Sequence, residues 1–250
     1  MPFNKSYISI VLSKHLDKQL FQFAALDCYA KSYKKVITIP NQNNFIKDCK
    51  MFDELQIEDY HIISDNQESF KIIPFAMNIM LEGNFINFKP HNENTLDFIR
   101  EFIYSNEDYM YAAYDKYNEI KNYFKTDSDD EMVSIYYDSD YEFSYYMKSI
   151  ILMNKKNIVV FASHTPDESL LKQLFDDTHN IYICWDENPY IRLILLSFFK
   201  HNIINKSDPY FSLWAAYISC YDSIKDIVVP EYLKGIMNDK INNMNINYLE

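Results

Sequence analysis

The chain has 250 residues, 48% of them hydrophobic, with formal net charge −12 and pI near 4.9. That acidic balance argues against nucleic acid and against anionic membrane surfaces as partners. Only two glycines occur, Gly83 and Gly235, where average usage would give roughly seventeen; no P-loop or dinucleotide fingerprint can be written, because both need glycine where backbone approaches phosphate.

Ser6 to Leu12 reads as a strand, and Leu16 to Lys31 as a helix with Leu16, Leu20, Phe23, Ala24 and Ala30 near one face. Val36 to Ile39, Tyr60 to Ile63 and Ile79 to Leu81 are short strand candidates, followed by helical patterns at Thr95 to Tyr104 and Asp108 to Phe124. The acidic run KTDSDDE, 125–131, has the composition of an exposed linker. Strands are then expected at Met132 to Tyr136, Asn157 to Ala162, Ile181 to Cys184, Asn202 to Ile204 and Asp226 to Val229. Between them fall helices at Tyr141 to Met153, Thr165 to Phe175, Pro189 to Phe199 and Tyr210 to Tyr221. Thr165-Pro166-Asp167-Glu168 has the form of a capping box. Residues 238–250 read as an Asn-rich tail. With glycine scarce, turns are expected to use Asn and Asp. This alternation predicts an α/β protein with parallel sheets: an N-terminal domain over 1–128, a C-terminal domain over 129–237, and ligands at the carboxyl ends of the strands.

Chemistry-bearing motifs are few. The cysteines at 28, 49, 184 and 220 have no CxxC spacing and read as reduced thiols. The six histidines show no HExxH or HxxxH pattern, so no metal is expected. Asp127-Ser128-Asp129 and Asp138-Ser139-Asp140 match the DxD pattern of metal-dependent sugar transferases, but solvated turns are the simpler reading. No GxSxG elbow is present. The N-terminus lacks signal-peptide character, and no apolar run reaches the ~18 residues of a span. The expectation is a cytoplasmic protein with no transmembrane segment; the sequence does not give its oligomeric state.

Several blocks nevertheless carry a resemblance. Residues 14–24, KHLDKQLFQFA, are similar to the GGLGNQLFQFA motif of the α-1,2-fucosyltransferases. Leu81 to Asn87 looks like that family's GYFQ segment. Lys200-His201-Asn202-Ile203-Ile204, with Ser207 and Phe211-Ser212-Leu213-Trp214-Ala215-Ala216 after it, resembles the family's KHNIIANSSFSWWGAW. Asp226 to Pro230 matches its closing strand. The departures are equally specific. Lys14, His15 and Asp17 replace glycines, and Lys18 replaces an asparagine. The arginines of HxRRGDY should fall within Val133 to Tyr141, which reads VSIYYDSDY; the chain's arginines are Arg100 and Arg192 alone. FSDD becomes Ala162-Ser163-His164-Thr165, and two extra residues lie near Asp208-Pro209.

The resemblance implies a GT-B-type fold, two Rossmann-like domains facing a cleft, with the nucleotide sugar on the C-terminal domain and the acceptor on the other. It implies transfer of fucose or a related sugar from a nucleotide donor, GDP-fucose in the family, to a glycan hydroxyl with inversion and with no cofactor. Candidate donor- or substrate-binding residues are His15, Lys18, Gln19, Tyr136, Tyr137, Asp138, His164, Lys206, Ser207 and Ser212. Gln19 is the one polar match in its motif. Tyr136 and Tyr137 either stack on a ligand or fill the core, and Ser207 and Ser212 either line the site or cap a helix. The cations nearest the matched motifs are Lys14, Lys18, Arg192 and Lys206. The catalytic residues are not identified. The lost arginines leave a second reading open: an inactive relative that binds a carbohydrate or a partner.

Overall fold

The computed structural model describes residues 6–39, 60–64, 78–83, 85, 93–137, 143–162, 171, 175, 178–185, 188–219, 224–234 and 244–250. They belong to two compact units, 1–106 and 107–250. The first holds a four-stranded sheet of β1 (Tyr7–Ile10), β2 (Val36–Ile37), β3 (Tyr60–Ser64) and β4 (Asn78–Glu82), every pair parallel, in the order β2-β1-β4-β3. Helix α1 (Leu16–Tyr33) follows β1 and buries Leu20, Phe23, Ala24 and Leu26 completely. Its partner is α2 (Glu93–Tyr104), with the Phe23 and Phe102 rings 4.5 Å apart. Buried Asp27 joins the two helices, accepting from Thr95 Oγ1 at 2.9 Å and from Lys31 Nζ at 2.7 Å.

The second unit opens with α3 (Glu107–Phe124) and builds a six-stranded sheet. Its strands are β5 (Met132–Tyr136), β6 (Asn157–Phe161), β7 (Asn180–Cys184), β8 (His201–Ile203), β9 (Lys225–Pro230) and β10 (Met244–Leu249). They lie in the order β10-β9-β8-β5-β6-β7, every pair parallel. Strand β6, NIVVF, is buried at every position, as a central parallel strand covered on both faces must be. Helix α4 (Phe143–Met153) covers the face that presents Val133, Ile135, Ile158, Val160 and Val228. Against the other face lie α5 (Pro189–Ser197) and the turn after it, with Phe161 5.8 Å from Phe199. Helix α3 packs on α5, where Tyr109 stacks on Tyr190 at 6.0 Å, and α6 (Tyr210–Tyr217) packs on α5 in turn. Helix α5 starts where its sequence dictates: Asn188 Oδ1 accepts from Tyr190 N at 2.9 Å, and Pro189 occupies the first turn.

Three expectations are revised. The acidic run is stitched to α3 rather than hanging free: Asp129 accepts from Tyr117 Oη at 2.6 Å and from Lys121 Nζ at 3.2 Å, and the compact units divide ahead of α3. Residues 244–249 of the Asn-rich tail form β10, because Met244, Ile246 and Tyr248 alternate with asparagines at the period of a strand. Positive backbone φ falls, among the described non-glycine residues, on Lys34, Phe85, Lys125 and Asn154, so asparagine takes only one of the four. Lys34 closes α1 there, donating its N–H to Ala30 O and Lys31 O. The predicted helix Thr165 to Phe175 lies almost wholly outside the described residues; its end shows one helical hydrogen bond, Phe175 N to Leu171 O at 3.0 Å.

Candidate functional site

Strands β5, β6 and β7 step outward in one direction, and β8, β9 and β10 in the other, starting from the opposite side of β5. This is the doubly wound order, and its reversal lies between β5 and β8. In such sheets the connections leaving the two central strands diverge above and below, which opens a crevice at their carboxyl ends. Ile135 pairs with Ile203, so Tyr136 and Ile204 are the next residues at that edge. Among the described residues no glycine lines it, which favours side-chain contacts to any phosphate bound there.

Tyr136 is half-buried, and its ring lies 5.1 Å from that of Phe211 in α6. Its hydroxyl accepts from Arg192 Nη1 at 3.5 Å, while Arg192 Nη2 donates to Trp185 O at 3.4 Å. Arg192, in the first turn of α5, therefore ties the end of β7 to the end of β5, the strands flanking β6. Its side chain is buried, with the residue only 7% exposed. Tyr137 goes the other way. It is buried in the core under α4, 5.5 Å from the Tyr146 ring, so of its two readings the core-filling one describes it.

The chain leaves β8 through a tight turn organised by Asn205, which is 0% exposed. Its Oδ1 accepts from Ser207 N at 2.7 Å, Ser207 Oγ at 2.9 Å and Asp208 N at 3.1 Å. Its own N–H donates to Ser212 Oγ at 3.1 Å, and that hydroxyl donates to Pro209 O at 3.1 Å. Ser212 is thus an internal brace of the turn, and Ser207 is exposed beside it. Neither is the N-cap of α6, which is Pro209. Lys206 sits 5.6 Å over the ring of Tyr145, and its carbonyl accepts from Tyr232 Oη at 2.7 Å. The Tyr145 hydroxyl, pushed to higher pKa by burial and by neighbouring Tyr146, stays neutral. It donates to Ile204 O at 2.9 Å and Val228 O at 3.3 Å, fixing the ends of β8 and β9. Sequence reasoning did not select Asn205; its signal was an asparagine directly after a short strand with serine two positions on, the pattern of an Asx-turn.

His201 belongs to the opposite, amino edge of this sheet. Its Nδ1 lies 3.1 Å from Asp226 Oδ2 and its Nε2 3.4 Å from Asp130 Oδ1, neither aligned as a hydrogen bond. Burial, reinforced by the charge of Lys155, holds its pKa below the ordinary value despite both carboxylates.

In the first unit, the carboxyl ends of β1 and β4 border a concavity of about 290 Å³ lined by Val11, Leu12, Ser13, Gln22, Glu82 and Gly83. Gln22 builds it: Nε2 donates to Val11 O at 2.9 Å and Gly83 O at 2.7 Å, and Oε1 accepts from Ser13 N at 2.8 Å. Gln19 is buried and donates to Ser13 O at 2.7 Å, bracing the same loop from below. His15 is the exposed N-cap residue of α1 with no side-chain cap, and Lys18 is half-buried in its first turn. Asp138, Asp140 and His164 lie outside the described residues. Among the described residues, no cluster of three His, Cys, Asp or Glu is placed to hold a metal, and no helix is long and apolar enough to cross a membrane.

No protein-family model and no curated protein matches the sequence. Among solved structures, the chain is similar to an arginine-to-lysine mutant of FUT1, a fucosyltransferase of Arabidopsis thaliana, in complex with GDP. The identity is 9% and the TM-score 0.50, over 86% of this chain and 69% of that one. What the two share at that identity is the fold: α/β, with parallel sheets, of the GT-B kind.

Proposed function

We propose that this chain is a glycosyltransferase of the α-1,2-fucosyltransferase type, moving fucose or a related sugar from a nucleotide donor to a glycan hydroxyl with inversion. The observation that carries the reading is the strand-order reversal between β5 and β8, with Tyr136, the Asn205 turn and Arg192 at its carboxyl edge. That is where α/β sheets take nucleotides. Two things support it: the KHNII and FSLW blocks that lead into this edge, and the likeness in fold to a fucosyltransferase whose structure is in complex with GDP. The donor belongs on the second unit. Acceptor contacts belong on the first, at the loop after β1 that Gln19 and Gln22 fix. The positive charge that draws off a departing diphosphate comes from protein side chains here, with no metal required.

One observation favours a second reading, a carbohydrate- or partner-binding protein that has lost transfer. Tyr136, at the end of β5, and Tyr137 after it stand where the family has its arginine pair, and a phenol cannot neutralise a leaving diphosphate. Calorimetric titration with GDP, GDP-fucose and UDP-sugars, with and without manganese, separates the two. The transferase reading expects GDP and GDP-fucose to bind without manganese, and radiolabelled fucose to pass slowly to a galactoside. Failure of every nucleotide sugar to bind, alongside a positive glycan array, would establish the binding protein instead.

A further inference from the structure

The transferase reading leaves open which kind of sugar the first unit takes. We propose that the concavity at the carboxyl ends of β1 and β4 is a subsite for one uncharged sugar ring, with the Glu82 carboxylate receiving its hydroxyls. That this sugar belongs to the acceptor rests on the transferase reading; its class rests on the residues that line the concavity.

The rim is fixed before any ligand arrives. Gln22 Nε2 donates to both Val11 O and Gly83 O, and Oε1 accepts from Ser13 N. An amide engaged in this way has no donor left for a ligand, so Gln22 ties the end of β4 to the loop after β1 and does not itself read the sugar. Gly83, one of only two glycines in the chain, stands at φ 133°, in the region that favours glycine. It lets the backbone turn directly after Glu82 while its carbonyl stays on Gln22.

The polar groups left for a ligand are those of Glu82 and Ser13. Glu82 is exposed at the end of β4 and, among the described residues, makes no hydrogen bond or ion pair. It is the one ionisable side chain among the described residues lining the concavity; Lys14 and Lys18, near it in the matched motif, are not among them. Ser13 Oγ accepts from His15 N at 3.2 Å, which leaves its O–H to donate. Val11 and Leu12 supply apolar wall for the C–H face of a ring. A carboxylate accepts two hydroxyls at once, and hydrogen bonds to an ionised acceptor are the stronger kind. The same unpaired charge repels a second carboxylate at contact range. The ring that fits is therefore a neutral hexose and not a uronic acid. The volume of about 290 Å³ lies at the small end of ligand sites, which run from roughly 300 to 1,000 Å³. It takes one ring rather than a longer glycan.

The scarcity of glycine supplies the test. Labelling the full chain with ¹⁵N-glycine gives two amide signals, one of them from the lining residue Gly83, identified as the signal that remains in G235A. Methyl β-galactoside should shift the Gly83 signal saturably in wild type, and methyl β-galacturonide at the same concentrations should not. E82Q should weaken the galactoside by about tenfold or more, and E82K should reverse the preference in favour of the galacturonide. Thermal melts report which variants fold, and the two glycosides on wild type decide the matter if neither does. A Gly83 signal unmoved by the galactoside, equal affinity in wild type and folded E82Q, or equal binding of the two glycosides by wild type would overturn the assignment. Calorimetric titration of wild type with GDP and GDP-fucose separates the two readings. If the nucleotides bind but the galactoside does not, the subsite is wrong and the transferase reading stands. If the galactoside binds through Glu82 and no nucleotide sugar binds, the subsite stands and the transferase reading fails.

Discussion

His201 shows how a residue inside a family-like motif can serve the fold rather than the chemistry. It starts β8, at the end of the strand away from the β5–β8 crevice, where burial keeps it neutral between Asp130 and Asp226. With its folded pKa below the unfolded value of about 6.5, the unfolded chain is the form that binds the extra proton. The stability this residue contributes is therefore complete above about pH 6.5 and is lost as the pH falls below it. Asp130, whose carboxyl is held low first of all by its hydrogen bond from Lys200, adds a loss of the same sign at more acid pH. Urea denaturation at steps from pH 7.5 to 5.5 should show a falling midpoint in wild type and a flatter profile in H201Q. Equal slopes for the two would assign the effect to other histidines. The same motif illustrates what sequence alone conveyed. KHNII was legible as a strand next to the site; that its His201 and the Asn205 just beyond it serve opposite edges of the sheet depended on pairing with β5 and β9, which are distant in sequence.

At the scale of elements, strands with continuous apolar runs were read almost to the residue, Met132 to Tyr136 and Asn157 to Phe161 among them. Such runs are buried on both faces, so local composition and tertiary burial agree. The elements misjudged were those where the two diverge. Residues 244–249 look polar because every second side chain is asparagine through position 247, yet their backbone completes the sheet beside β9. The acidic run looked like a tether because its side chains are charged, yet Tyr117 and Lys121 hold it. The edge strand gives a measurable consequence. Ile246, Tyr248 and Leu249 are half-buried, each stabilising by roughly 1 kcal/mol, with recovered chain entropy offsetting part of the sum. Truncation after residue 243 should lower stability by about 2 kcal/mol in urea. It should also promote self-association visible by sedimentation, since β9 becomes an unprotected edge. Unchanged stability in the truncated chain would mean that β10 contributes nothing to the sheet.

For the whole molecule, the α/β class and the parallel character of both sheets followed from the alternation of strands and helices along the sequence. Where one compact unit ends did not. Helix α3 reads as part of the N-terminal half because it precedes the most polar stretch of the chain, but its apolar positions pack elsewhere. Tyr117 meets Phe198 and Phe199 edge-on at 5.7 and 5.3 Å, and Tyr123 meets Tyr182 of β7 at 5.2 Å. A chain cut in the acidic run, at residue 129, would strip these aromatic partners from α5 and β7; a cut ahead of α3 would keep them. The fragment 107–250 contains the entire six-stranded sheet and helices on both its faces, which is what an independently stable α/β layer requires. It should therefore fold on its own, with dispersed amide resonances and a cooperative thermal transition, whereas 129–250 should show a lower midpoint and bind the dye ANS at the surface α3 vacates. Equal stability of the two fragments would show that α3 is not part of this unit, and would return the boundary to the acidic run.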